Sequence, residues 1–112
     1  MYRTLVADDD FLVRSYLKTL DSWGKAGYEI VDDAEDGEEA YNFLRKEKVD
    51  VLVTDLSMPV MDGIELCKRI KSDINLSHIP VILLTARTDT ASKIAGLENG
   101  ADVYIEKPVS VS

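Results

Sequence analysis

Short apolar runs alternate with apolar stripes at helical spacing along this chain. Thr4 to Ala7 is a strand-like run stopped by Asp8-Asp9-Asp10, after which Leu12, Val13, Tyr16, Leu17 and Leu20 form one helical stripe. Trp23-Gly24 and Gly27 are expected to break that helix, and Tyr28 to Val31, of mixed polarity, suits an edge strand. Asp36-Gly-Glu-Glu39 has capping-box spacing, and Ala40, Phe43 and Leu44 continue it as a helix. A third strand, Val49 to Thr54, leads into Asp55. A helix from about Gly63 to Lys71 then carries Ile64, Leu66, Cys67 and Ile70. Val81 to Leu84 ends in Thr85. Asp89 or Thr90 can cap a further helix that buries Ile94, Ala95 and Leu97 and stops at Gly100, and Val103 to Ile105 is the fifth strand. Strands alternating with amphipathic helices of about ten residues imply βαβ crossovers. The expected fold class is therefore α/β, with a parallel sheet covered on both faces.

All strands of such a sheet point one way, so their carboxyl ends share one rim, which would collect Asp8, Asp9, Asp55, Thr85 and Lys107. Taken singly, each is an ordinary surface group, and Asp55 could simply cap the turn that follows it. Three carboxylates, a hydroxyl and an ammonium at the ends of four strands form a more specific pattern. Carboxylates held close raise one another's pKa unless a cation intervenes, and an all-oxygen set suits Mg²⁺ or Mn²⁺ rather than zinc. Such an ion recruits phosphoryl oxygens, Lys107 and Thr85 can receive the remaining negative charge, and Asp55 can act as a nucleophile. Phosphoryl transfer is the chemistry this set suits.

Composition narrows the picture further. The chain has 112 residues, 46% of them hydrophobic, which is enough for one compact domain over 1–112 and too little for two. Thirteen basic against 21 acidic residues give a net charge of −8, which argues against nucleic-acid contact by this domain. No apolar run approaches a membrane span, and Met1-Tyr2-Arg3 leads straight into a strand without a signal-peptide pattern. Cys67 is the only cysteine, expected as a helix packing residue, and a reducing cytoplasm is the expected compartment. His78 in Ser-His-Ile-Pro reads as a loop residue, and Asp62-Gly63 as a turn and helix start.

Asp8-Asp9, Asp55 in Asp-Leu-Ser-Met-Pro with Met-Asp-Gly, Thr85-Ala86, Tyr104 and Lys107-Pro108 together resemble the receiver domain of two-component response regulators, from about Thr4 to Pro108. That resemblance implies a flavodoxin-like strand order 2-1-3-4-5, one of the two common doubly wound orders. It also implies a phosphohistidine on a sensor histidine kinase as donor and Asp55 as phosphoacceptor. Asp9 and Asp55 would ligate Mg²⁺ directly, Asp8 mainly through water, and the Ser57 backbone carbonyl would complete the set. Thr85 would close on the phosphoryl group, and Tyr104 would swing inward behind it as the switch. Three consecutive aspartates permit two pairings; with Ala7 as the last strand residue, Asp8 and Asp9 are the metal pair and Asp10 starts the helix. Ser57 and Arg87, each two residues past a site residue, are candidates for tuning the lifetime of the phosphoryl group.

The competing enzyme reading is a magnesium-dependent phosphatase working through an aspartyl phosphate, similar to haloacid dehalogenases. Those enzymes carry Asp-x-Asp at the nucleophile, and here Ser57 stands in the second place. A flavin-binding flavodoxin relative would need a hydroxyl- and glycine-rich phosphate loop after the first strand, which Asp8-Asp9-Asp10 does not supply. The first half of the chain, with Ser22 to Tyr28 after the first helix, resembles receivers joined to AraC-type DNA-binding domains, and His78 to Pro108 also resembles receivers of hybrid sensors. A cis Lys107-Pro108 bond is expected, at a cost of only about 0.5–1 kcal/mol. The family's fifth helix would follow Lys107-Pro108, but only Val109 to Ser112 remains, so that helix is expected to be missing or truncated. The chain then reads as a fragment of a longer protein, prone to self-association through the sheet face that helix would cover.

Overall fold

The computed structural model describes residues 1–85 and 90–106. The strands are β1 (Tyr2–Ala7), β2 (Tyr28–Ala34), β3 (Val51–Asp55), β4 (Val81–Thr85) and β5 (Val103–Glu106), all parallel in the order β2-β1-β3-β4-β5. The helices are α1 (Phe11–Thr19), α2 (Asp21–Lys25), α3 (Gly37–Lys46), α4 (Gly63–Ser72) and α5 (Thr90–Glu98). This is the flavodoxin-like order expected above. Five helices are present among the described residues because the β1–β2 connection holds two. The break falls at Leu20, whose extended φ/ψ of −74°/118° ends α1, rather than at Trp23-Gly24. The helix expected to be missing after β5, and the Lys107-Pro108 bond, lie outside the described residues.

Alternation along the strands divides the core. Leu5, Ala7, Leu52 and Leu83 face α3 and α4 through Ala40, Leu44, Leu66 and Ile70, while Val6, Val53 and Leu84 face Leu17, Val13, Leu20 and Trp23 of the first two helices. The side chains of Asp10, Asp36 and Asp62 accept from the backbone N–H of Leu12, Glu39 and Glu65 and so start α1, α3 and α4. Each satisfies a donor that the first helical turn leaves without an intrahelical partner. On the α1/α2 face an apolar groove of about 310 Å³ runs over β3, β4 and β5, lined by Leu17, Trp23, Val53, Ile82, Leu84 and Ile105.

Three sequence expectations need correction. β2 continues through Asp32 and Asp33 to Ala34 instead of stopping at Val31; an edge strand accepts charged residues because one side is open to water. In α1 the buried stripe is Val13, Leu17 and Leu20, while Leu12 is 74% exposed and Tyr16 is also exposed. In α5, Ile94 and Leu97 are exposed, and Lys93 and Gly96 turn inward. A Cβ at Gly96 would overlap Leu83, so the glycine is what lets this helix lie close to β4.

The loop between β3 and α4 holds one strained residue. Met61 N–H donates to Pro59 O at 2.7 Å, a γ-turn centred on Val60, whose φ is 67°. A β-branched residue there costs about 1–3 kcal/mol, whereas glycine adopts that φ freely at an entropic cost of about 0.5–1 kcal/mol. Val60 is exposed and contributes little packing. Val60→Gly is therefore expected to stabilise the fold by about 1 kcal/mol in urea unfolding; an unchanged or lower midpoint would show that the turn carries no such strain.

Candidate functional site

The parallel ladder fixes which side chains meet at the carboxyl edge. Ala7 pairs with Thr54, and Asp55 with Leu84, so Asp8, Asp55 and Thr85 emerge from three adjacent strands at one level. Asp8, Asp9 and Asp55 each offer a carboxylate oxygen, and these atoms lie within 4.8 Å of one another. Asp8 and Asp55 are buried, and Asp9 is exposed at the mouth. β1 ends at Ala7 and Asp10 caps α1, so the acidic pair is Asp8-Asp9. The Asp8 carboxylate accepts from Asp10 N–H at 2.9 Å, which folds the chain back from strand to helix.

Thr85 closes the far side. It is 1% exposed, and its Oγ1 has no hydrogen-bond partner among the described residues. A buried hydroxyl without a partner costs about 1–3 kcal/mol, and this one stands beside the acidic set with a donor to spare. The carboxylate oxygens make a hard, all-oxygen donor set that fits a divalent cation such as Mg²⁺. Ser57 lies on the exposed loop two residues beyond Asp55. Lys107 and Arg87 lie outside the described residues.

Tyr104, the expected switch, is 38% exposed on β5. Lys93 Nζ stands 5.2 Å from its ring centroid and also binds Glu106 Oε1 at 2.8 Å. Sequence reasoning missed Lys93, because a lysine in an apolar-spaced helix ordinarily points outward. It also missed Arg14, which donates from Nε to Asp33 Oδ2 and from Nη1 to Asp8 O, both at 2.7 Å. Lys18 Nζ binds the other Asp33 oxygen at 2.9 Å. Partial burial pushes the Asp33 carboxyl up, but the hydrogen bonds and charges of Lys18 and Arg14 outweigh it and hold Asp33 below its ordinary value.

Other candidates resolve as structural. Asp62 and Gly63 start α4, and His78 is an exposed loop residue. Cys67 is fully buried, and burial pushes its thiol up to about 11, which leaves almost no thiolate at neutral pH. Among the described residues no helix is long and apolar enough to cross a membrane.

A five-stranded doubly wound sheet with acidic residues collected at its carboxyl edge defines a class of ligand-binding α/β domains. The sequence profile of the response regulator receiver domain matches residues 4–112, and the chain belongs to that family. It is 44% identical over 108 residues to the probable transcriptional regulator ycf27 of Guillardia theta, covering 96% of this chain and 40% of that protein. It is 42% identical over 107 residues to histidine kinase P4 of Formosa agariphila, covering 96% of this chain and 8% of the kinase. The chain thus spans well under half the length of either relative. Among solved structures, a putative response regulator from Chloroflexus aurantiacus superposes with a TM-score of 0.87 at 38% identity, over 97% of this chain and 87% of that one. The chain is accordingly a receiver domain of two-component signalling.

Proposed function

We propose that this domain is a phosphorylation-dependent switch that takes a phosphoryl group from a sensor histidine kinase onto Asp55. The observation that carries the proposal is the meeting of three carboxylates with a buried Thr85 hydroxyl, without a partner among the described residues, at one sheet edge. Asp8, Asp9 and Asp55, with the Ser57 carbonyl, would hold Mg²⁺, which when bound supplies the positive charge that draws in phosphoryl oxygens. An Asp55 oxygen forms the new O–P bond as the P–N bond to the donor imidazole breaks. The bonding pair returns to the ring nitrogen, which takes a proton from solvent. Thr85 Oγ1 donates to a phosphoryl oxygen, and Lys107 pairs with the remaining charge. Ser57 and Arg87, each two residues past a site residue, would tune how long the phosphoryl group survives attack by water.

Filling the Thr85 side of the pocket draws that residue inward and opens space for Tyr104, so the state of Asp55 is read at the α5–β5 surface. The domain works in the cytoplasm, and its partners are a sensor histidine kinase and, in a longer parent protein, an output domain of AraC type or the remainder of a hybrid sensor.

Acetyl phosphate with Mg²⁺ should add the mass of one phosphoryl group to the intact chain, and chelation should prevent it. Absence of labelling would remove the switch reading. Sustained turnover of a generic phosphate ester would instead support the phosphatase reading.

A further inference from the structure

We infer that Arg14 is a positioning residue for the acidic pocket: anchored by Asp33, it fixes the Asp8–Asp9 peptide and thereby sets the pocket's affinity for a divalent cation. The inference rests on the reading of Asp8, Asp9 and Asp55 as a metal site.

Asp9 is exposed, so side-chain packing does not place its carboxylate. Its position depends on the backbone. That backbone is tied at three points: Asp8 N–H donates to Ala34 O at 2.9 Å, Arg14 Nη1 donates to Asp8 O at 2.7 Å, and Asp10 N–H donates to the Asp8 carboxylate at 2.9 Å. Because the peptide unit is planar, fixing the Asp8 carbonyl oxygen also fixes the Asp9 N–H and Cα. The Asp9 carboxylate therefore starts from a defined point beside Asp8 and Asp55.

Arg14 is itself held. Its side chain is 11% exposed, and its Nε is bound to Asp33 at 2.7 Å. The guanidinium suits this task because its donors are fixed in one plane and can serve Asp33 and the Asp8 carbonyl together. A lysine has one nitrogen on a flexible stem, so Arg14→Lys keeps the charge without the two-point hold.

Charge and positioning predict opposite signs. Removing a cation near a metal site should tighten metal binding if charge dominates, and the Asp33 carboxylate already neutralises much of the Arg14 charge. If positioning dominates, binding weakens.

The test is Mn²⁺ binding to the unphosphorylated protein, read from the loss of the free-ion electron paramagnetic resonance signal. Groups that orient metal ligands typically change affinity by about 10–100-fold, so Arg14→Gln is expected to raise the Mn²⁺ dissociation constant about tenfold. Arg14→Lys should also weaken it, although it conserves charge. Lys18→Met, which removes another cation on Asp33 but has no bond to Asp8, should leave it within about twofold, as an exposed charge contributes little. Equal or tighter Mn²⁺ binding by folded Arg14→Gln, with circular dichroism as the check, overturns the inference. If Arg14→Gln does not fold, the same outcome in Arg14→Lys overturns it. Failure of the unsubstituted protein to bind Mn²⁺ removes the metal-site reading itself, and that failure is visible before any substitution is made.

Discussion

Asp55→Asn is expected to abolish Mg²⁺-dependent labelling by acetyl phosphate under conditions where the unsubstituted chain gains one phosphoryl group. The amide has nearly the shape of the carboxylate, so the packing of this buried strand end should be retained. What disappears is a nucleophilic oxygen and one negative charge of the acidic set. Asp8 and Asp9 remain within reach of a phosphoryl donor, so retained labelling in Asp55→Asn would reassign the acceptor to one of them. Intact-protein mass spectrometry reads the difference directly, and circular dichroism separates loss of chemistry from loss of fold.

Gly63→Ala is expected to lower stability by about 3 kcal/mol, the upper end of the cost of overpacking. Gly63 opens α4 and donates its N–H to Leu56 O at 2.8 Å, which brings the helix start against the backbone of Asp55 and Leu56. A Cβ there would overlap the Asp55 carbonyl oxygen and crowd Leu56 Cα, both backbone atoms that cannot swing aside. Alanine's higher helix propensity recovers at most about 1 kcal/mol, so the clash wins. Gly24→Ala supplies the opposite case: its nearest neighbour is the flexible Met1 Cε at 4.0 Å, and propensity alone should raise stability by about 0.5–1 kcal/mol. Urea unfolding of the two variants checks both signs. A Gly63→Ala midpoint equal to the parent's would show that α4 can shift away from β3 without loss.

The parallel sheet and the acidic rim could be read from the sequence because both follow from periodicity, whereas the strand order came only with the resemblance to receiver domains. Strand-length apolar runs fix the strand ends, and parallel strands bring Asp8, Asp55 and Thr85 to one edge whatever the helices do in detail. Helix faces were harder to read. Ile94 and Leu97 look like core positions by spacing, yet the orientation of α5 accompanies the close approach of Gly96 to Leu83 and the pairing of Lys93 with Glu106. Neither contact is visible along a single helix. Arg14 and Asp33 are 19 residues apart, and their pairing depends on β2 lying beside β1 and on β2 continuing past Val31. Asp32 and Asp33 hid that continuation, since charged residues ordinarily mark the end of a strand.

The two edges of the sheet differ in their openness to another strand. Along β2 the register with β1 jumps from Ile30 to Asp32, so Val31 has no partner and the strand carries a bulge. Bulges and charged side chains at an edge discourage a foreign backbone from adding to the ladder. β5 has neither protection over Val103–Ile105: its register with β4 is regular, and all three residues are exposed and apolar or aromatic. Lateral growth of the sheet, as in domain swapping or aggregation, is thus discouraged beside β2, and among the described residues β5 is the more open edge.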